Sequence, residues 1–163
     1  MASIRKFDPA VTGSDFKEFS YRLLNSKNFL PDILRDYKAL LVEYTRTMDK
    51  CVQPFALVDP KNKIAGMFFV NDIDPGHKAT FYCWIWGAGY TNGTRKFIRE
   101  YIDSCAEEYQ LARVECRTPD DKKLGRVLAQ LGMKLEGRLK NAWKSGGRLG
   151  TLFLYRRLYG GSQ

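Results

Sequence analysis

Gly87-Ala-Gly-Tyr-Thr-Asn-Gly-Thr94 is the stretch whose residue types point most directly to chemistry. Its three glycines and one asparagine permit backbone angles that other residues avoid. It follows Lys78-Ala-Thr-Phe-Tyr-Cys-Trp-Ile-Trp86, a run dense in aromatic and β-branched residues that predicts a strand. After it, Phe97, Tyr101, Ile102, Cys105 and Tyr109 recur at helical spacing. A glycine-bearing loop that opens a helix after a strand can hold phosphate, because the free N–H groups of the first turn and the helix dipole both point at the anion. Ala112-Arg-Val-Glu-Cys-Arg117 then alternates like another strand, so the unit reads strand, loop, helix, strand.

The remaining reactive side chains suggest less. Cys51, Cys83, Cys105 and Cys116 form no CxxC pair, and His77 is the one histidine, which argues against a zinc site. Cys83, Cys105 and Cys116 fall inside predicted elements, so reduced, mostly buried thiols are expected. His77 stands alone on a turn and reads as a surface residue.

These groups must be positioned by a chain of 163 residues, which predicts one domain, here 1–159, with a flexible tail at 160–163. At 44% hydrophobic and 28% charged, the composition is that of a soluble globular protein. No apolar run approaches the roughly 20 residues of a membrane helix, and Met-Ala-Ser-Ile-Arg-Lys-Phe lacks the apolar core of a signal peptide. A cytoplasmic location is the expectation. The net charge of +9 favours polyanions: nucleic acid, a phosphate-rich cofactor or an acidic partner. Basic clusters at Lys134 to Arg148 and at Arg156-Arg157 are either a nucleic-acid patch or a solvated basic face.

Taken in order, Ser3 to Phe7 predicts a short strand. Asp15 with Glu18 has the form of a capping box, ahead of a helix with Phe16, Phe19, Leu23 and Leu24 on one face. Pro31 suits the first turn of a second helix, whose apolar positions run from Ile33 to Met48. Pro54 to Val58 and Ile64 to Asn71 predict a hairpin across Asp59-Pro-Lys-Asn62, and with the Lys78 strand they suggest an antiparallel meander. Past the central unit come a helix from Asp120 to Leu131 ended by Gly132, a strand from Met133 to Trp143, a turn at Lys144-Ser-Gly-Gly147 and a strand from Leu149 to Leu158. The order β-αα-βββ-α-β-α-ββ implies an α/β (α+β) fold, a mixed and mostly antiparallel sheet of about seven strands with about four helices on its faces.

That order resembles the GNAT superfamily of acyl-CoA-dependent N-acyltransferases, across nearly the whole chain. Arg113-Val-Glu-Cys-Arg-Thr-Pro119, Leu128-Ala-Gln-Leu-Gly-Met-Lys-Leu-Glu-Gly-Arg138 and Leu152-Phe-Leu-Tyr155 are similar to the fifth strand, the helix exit and the closing strand of the ribosomal-protein N-terminal acetyltransferase subgroup. The resemblance implies that the fourth and fifth strands splay apart and that acetyl-CoA lies in the wedge. Trp84, Ile85 and Trp86 would then pair with the pantetheine. Ala88, Gly89, Tyr90, Thr91, Asn92, Gly93 and Thr94 would hold the diphosphate. The family's loop, (Gln/Arg)-x-x-Gly-x-(Gly/Ala), puts its marked positions on Ala88, Thr91 and Gly93, and Gly93 alone matches, so the loop is degenerate. The family's helical Asn and Tyr align with Asp121 and Leu128.

The implied reaction is direct attack of a primary amine, on a protein or a small molecule, on the thioester. It needs a base for the ammonium and N–H donors for the oxyanion. Tyr82, which shares the sheet face of Trp84, and Glu115 on the fifth strand are the candidate catalytic residues. The alternatives for them are a core tyrosine with its hydroxyl tied up, and a salt bridge from Glu115 to Arg113, Arg117 or a neighbouring strand. Trp84 and Trp86 either stack on a ligand or plug the wedge. Two other functions stay open: a catalytically inactive GNAT-like protein serving as a binding or structural component, such as a phage-encoded one, and a basic nucleic-acid binder.

Overall fold

The computed structural model describes residues 2–26, 31–86, 90–120 and 122–160. Its strands are β1 (Ser3–Lys6), β2 (Phe55–Val58), β3 (Ile64–Asp74), β4 (Lys78–Ile85), β5 (Arg113–Thr118), β6 (Lys134–Ser145) and β7 (Arg148–Leu158). Its helices are α1 (Ser14–Asn25), α2 (Tyr37–Met48), α3 (Asn92–Glu108) and α4 (Lys123–Gln130). The strands form one sheet in the order β1-β2-β3-β4-β5-β7-β6. Every neighbouring pair is antiparallel except β4 and β5, which run parallel because α3 carries the chain from one to the other.

Burial of the central strands explains their composition. β3 is buried at every position from Ile64 to Asn71, as a strand covered on both faces must be. In β4, half-buried and buried positions alternate. Phe81, Cys83 and Ile85 join Phe68, Ile98, Ile102 and Leu128 in one apolar cluster. Tyr82, Trp84 and Trp86 pack at the margin of a second cluster around Phe16, Phe19, Tyr44 and Phe69. The period of two thus sends one set of β4 side chains toward α3 and α4 and the other toward α1 and α2. Each fully buried Phe or Leu contributes about 1.5–3 kcal/mol to holding these layers.

Two local expectations are corrected. Asp15 and Glu18 do not form a capping box, and the N-cap of α1 is Gly13. Asp15 instead accepts from Arg5 at 2.6 and 2.7 Å and from the Asp8 N–H at 2.9 Å, while Glu18 accepts from the Ile64 N–H at 2.9 Å. Long-range donors have outcompeted the local cap. The predicted helix from Pro31 is likewise divided. Asp32–Leu34 is a single 3-10 turn, and α2 starts only after Asp36, whose carboxylate accepts from the Ala39 N–H at 3.0 Å. Asp32 is engaged elsewhere, accepting from the Gly146 and Gly147 N–H groups at the tip of the β6–β7 hairpin, at 2.7 and 3.0 Å.

Candidate active site

β4 and β5 pair at Lys78–Arg113, Ala79–Val114 and Thr80–Glu115, and then part. Each is held by its outer neighbour beyond that point. β4 stays registered with β3 as far as Ile85 opposite Gly66, and β5 with β7 as far as Thr118 opposite Phe153. A Cβ on Gly66 would stand 2.7 Å from the Trp84 carbonyl oxygen and 2.8 Å from Leu57 Cδ1, so a glycine lets β3 lie this close to β4. From Phe81 to Ile85 the edge of β4 that faces β5 has no strand partner among the described residues.

At the closed end of the split, Arg113 Nη2 lies 2.6 Å from Glu115 and 2.7 Å from Glu136, and Arg156 lies 3.0 Å from Glu136. Glu115 is buried in this network, which ties β5 to β6 and β7, and it does not line the cavity described next.

At the open end lies a cavity of about 240 Å³. β4 contributes Tyr82, Cys83 and Trp84, and the end of β5 contributes Arg117, Thr118 and Pro119. Leu124 of α4 lines it as well. Phe19, Leu40 and Tyr44 wall it from α1 and α2, and Trp143 of β6 adds to the lining. Trp143 reaches that place because the hairpin register breaks between Leu139 and Trp143, where Asn141 adopts φ 55°.

Tyr82 donates its hydroxyl proton to Asp72 Oδ2 at 2.9 Å. Asp72 sits at φ 50° inside the register break of β3 between Asn71 and Asp74. Burial first, and the hydrogen bond and charge of Asp72 second, push the Tyr82 pKa above the ordinary phenol range. The phenol therefore stays protonated at neutral pH. Glu43 of α2 also lines the cavity and pairs with Arg46 at 2.7 Å. The Trp84 and Trp86 indoles meet Phe19 edge to face, at centroid distances of 5.5 and 5.8 Å. Trp86 Nε1 donates to Ser26 Oγ at 2.8 Å. Both rings lie against Phe19 of α1.

Of the predicted phosphate loop, Ala88 and Gly89 lie outside the described residues, as does Asp121 of the helix-start comparison. Tyr90 packs against the α3/α4 core, its hydroxyl buried without a partner among the described residues and its pKa pushed up to about 12 by burial. Thr91 is the N-cap of α3, accepting from the Thr94 N–H at 3.3 Å, while the Thr94 hydroxyl oxygen accepts from the Thr91 N–H at 2.7 Å. This reciprocal box occupies two donors at the start of α3, while those of Asn92 and Gly93 have no partner among the described residues. Among the described residues, a Cβ on Gly93 would meet only Thr91 Oγ1, at 3.9 Å.

Other groups are removed from chemistry by burial. Leu128 is fully buried in the core. The four cysteines are free, and burial pushes Cys51 and Cys105 up to about 11 and Cys116 to about 12. His77 is exposed beside Asp74 at 2.9 Å. Sequence reasoning missed Glu43, Asp72, Arg117 and Trp143. Alternation along β5 carried a signal for Arg117, which shares a face with Glu115. Asp72 and Trp143 carried none, because backbone irregularities aim them.

No protein-family model and no curated protein matches the sequence. Solved structures do. A ribosomal-protein-S5-alanine acetyltransferase from Vibrio fischeri is 19% identical, with a TM-score of 0.65 over 96% of this chain and 92% of that one. A spermidine N-acetyltransferase from Vibrio cholerae, solved with CoA and spermine, is 16% identical, with a TM-score of 0.68 over 96% and 95%. A GNAT superfamily phosphinothricin acetyltransferase from Sinorhizobium meliloti, solved with acetyl-CoA, is 12% identical, with a TM-score of 0.68 over 98% and 89%. The chain has the fold of the GNAT acetyltransferases.

Proposed function

We propose that this chain transfers an acetyl group from acetyl-CoA to a primary amine by direct attack. The observation that carries the proposal is the parting of β4 from β5 after Thr80 and Glu115, with a cavity lined by both strands beyond that point. The end of β4 beyond its pairing with β5, at Trp84, Ile85 and the following Trp86, would take the pantetheine amides. The segment Ala88–Thr94 would take the diphosphate, with the Asn92 and Gly93 N–H groups as its donors. The likeness to a ribosomal-protein acetyltransferase and the Leu128–Arg138 segment support a place near that subgroup.

In the reaction the neutral amine nitrogen attacks the thioester carbonyl carbon. The C–N bond forms, backbone N–H groups of β4 hold the oxyanion, and the C–S bond breaks to release CoA as a thiolate. The proton shed by the attacking amine passes through the Tyr82 hydroxyl, which gives up its own to Asp72. Glu115, held by Arg113, fixes the point where the strands part.

The test is calorimetric titration with acetyl-CoA and CoA, followed by thiol release with a panel of amines. Micromolar binding with turnover is expected, and no binding at millimolar ligand overturns the proposal. One observation favours a second reading, a GNAT-like protein without catalysis: the Thr91–Thr94 box satisfies two donors that a diphosphate would otherwise use. Turnover of any amine excludes that reading.

A further inference from the structure

The charge of this chain is unevenly placed. Ten of its 27 lysines and arginines, but one of its 18 aspartates and glutamates, lie in 122–163. Residues 1–121 hold seventeen of each sign and balance, so the whole net charge of +9 falls on α4 and the β6–β7 hairpin. The first 121 residues show what an ordinary solvated surface of this protein looks like, with both signs mixed. The C-terminal segment departs from it.

The fold brings these cations together. β6 is the outermost strand, beside β7, and α4 packs against it. Arg126 of α4, Lys134, Arg138 and Lys140 of β6, and Arg148 of β7 are exposed, and none makes an ion pair among the described residues. Arg156 and Arg157 differ, being held by Glu136 at 3.0 Å and Asp103 at 2.8 Å. Lysines on an edge strand also keep stray strands from pairing with it. That role calls for no cation on α4, and it does not account for the missing carboxylates.

Shape and chemistry then select among polyanions. Lys134 stands opposite Arg156 and Arg138 opposite Phe153, so the two side chains leave opposite faces of β6. The cations form a ridge along an edge, and a flat bilayer would meet one face of it only. Leu135 and Leu139 are exposed between them, but they stand opposite Tyr155 and Leu152, again on different faces. They make no continuous apolar patch of the kind found at the core of a protein interface. No aromatic side chain of 122–160 is exposed among the described residues, so the stacking platform that a single strand uses is missing. A duplex, with its phosphates outside and its bases stacked within, fits what is left.

We infer that α4 and the outer edge of the β6–β7 hairpin bind the phosphate backbone of a nucleic-acid duplex, through Arg126, Lys134, Arg138, Lys140 and Arg148. The inference is independent of acyl transfer. RNA and DNA duplexes share the phosphate chemistry it requires.

The test is fluorescence anisotropy of the full chain with RNA and DNA duplexes of about 20 base pairs, the length over which backbone contacts are counted from salt dependence. Five phosphate contacts should make affinity fall by about 10²–10³-fold between 50 and 200 mM salt. A preference for one duplex names the source. Arg126→Gln, Lys134→Gln and Lys140→Gln together should make the logarithmic salt slope shallower by about 2.7, and Arg138→Gln with Arg148→Gln by about 1.8. Lys17→Gln, Lys38→Gln and Lys61→Gln remove the same charge from exposed positions elsewhere and should leave affinity and slope as in the parent. Circular dichroism checks that each variant folds. No duplex binding at 50 mM salt overturns the inference, as does an equal loss in the Lys17, Lys38 and Lys61 variant, which would assign binding to total charge. Tighter binding of a single strand, of poly-L-glutamate or of phosphatidylserine vesicles overturns the duplex in favour of that ligand. Release of the duplex by micromolar CoA also overturns it, since the cations would then serve the cofactor's phosphates.

Discussion

Tyr82 and Asp15 show how one partner decides what a side chain can do. Tyr82 lines the cavity, but its proton is committed to Asp72 and its pKa is raised by burial, so it serves as a donor or relay and not as a free base. Tyr82→Phe removes the relay and keeps the ring. If Tyr82 moves a proton, kcat should fall by about 10²-fold or more, with CoA affinity unchanged; an undiminished kcat would assign Tyr82 to packing. Asp15 is buried and takes both guanidinium nitrogens of Arg5. That hydrogen bond lowers the Asp15 pKa below the ordinary carboxylate value, against the opposing effect of burial. A carboxyl whose folded pKa is depressed stabilises the fold above its unfolded pKa and loses that contribution as pH falls through the folded value. Urea unfolding should therefore show Asp15→Asn destabilised by roughly 1–3 kcal/mol at pH 7, with the difference from the parent shrinking below about pH 4. A difference independent of pH would mean that shape, not charge, holds Asp15.

At the scale of elements, the site is made by register. At Gly66 there is no room for a side chain between β3 and β4, and Gly66→Ala drives a Cβ into the Trp84 carbonyl. Something must shift, and the carbonyl in the way belongs to the β4 edge proposed to receive pantetheine. The substitution should cost about 1–3 kcal/mol by overpacking and weaken CoA binding together with stability; full affinity in a destabilised protein would show that the β4 edge does not hold the cofactor. The same register separates what could be read from the sequence from what could not. Alternation in Lys78–Trp86 and helical spacing after Thr94 are local signals, and they gave the strands, α3 and the overall order. Asp15 looked like a cap and became a partner of Arg5. Pro31 looked like the start of a long helix, but Asp36 restarts it. The first error has a plain cause: a carboxylate near a helix start reads as a cap unless its distant donor is known. Where the Trp84 and Trp86 indoles lie was not legible either, and only the packing sets them against Phe19. Trp143 stands some 60 residues from Tyr82, and the bend at Asn141 that brings it to the cavity has no periodicity to betray it.

At the scale of the whole molecule, one sheet joins two helical layers, and the proposed cofactor would lie where both meet at the split. β3 is buried on both faces and its side chains enter both apolar clusters, so loss of either layer exposes the strand that supports the other. From this coupling we propose a single folding unit over 1–159. Far-UV circular dichroism reports every helix and strand, whereas tryptophan emission reports Trp84 and Trp86 beside α1, and Trp143 at the cavity. Urea unfolding followed by the two signals should give coincident transitions; separate midpoints would divide the chain into independent units. A ligand bound only to the folded chain at about 100 times its Kd adds about 2.7 kcal/mol. For a domain of this size that raises Tm by roughly 5–10 °C. Because the net charge of +9 draws a polyanionic cofactor, the shift given by a fixed CoA concentration should shrink as salt rises from 50 to about 300 mM. A shift indifferent to salt would place the cofactor's phosphates away from the basic surface, and no shift at all would leave the split as architecture without a ligand.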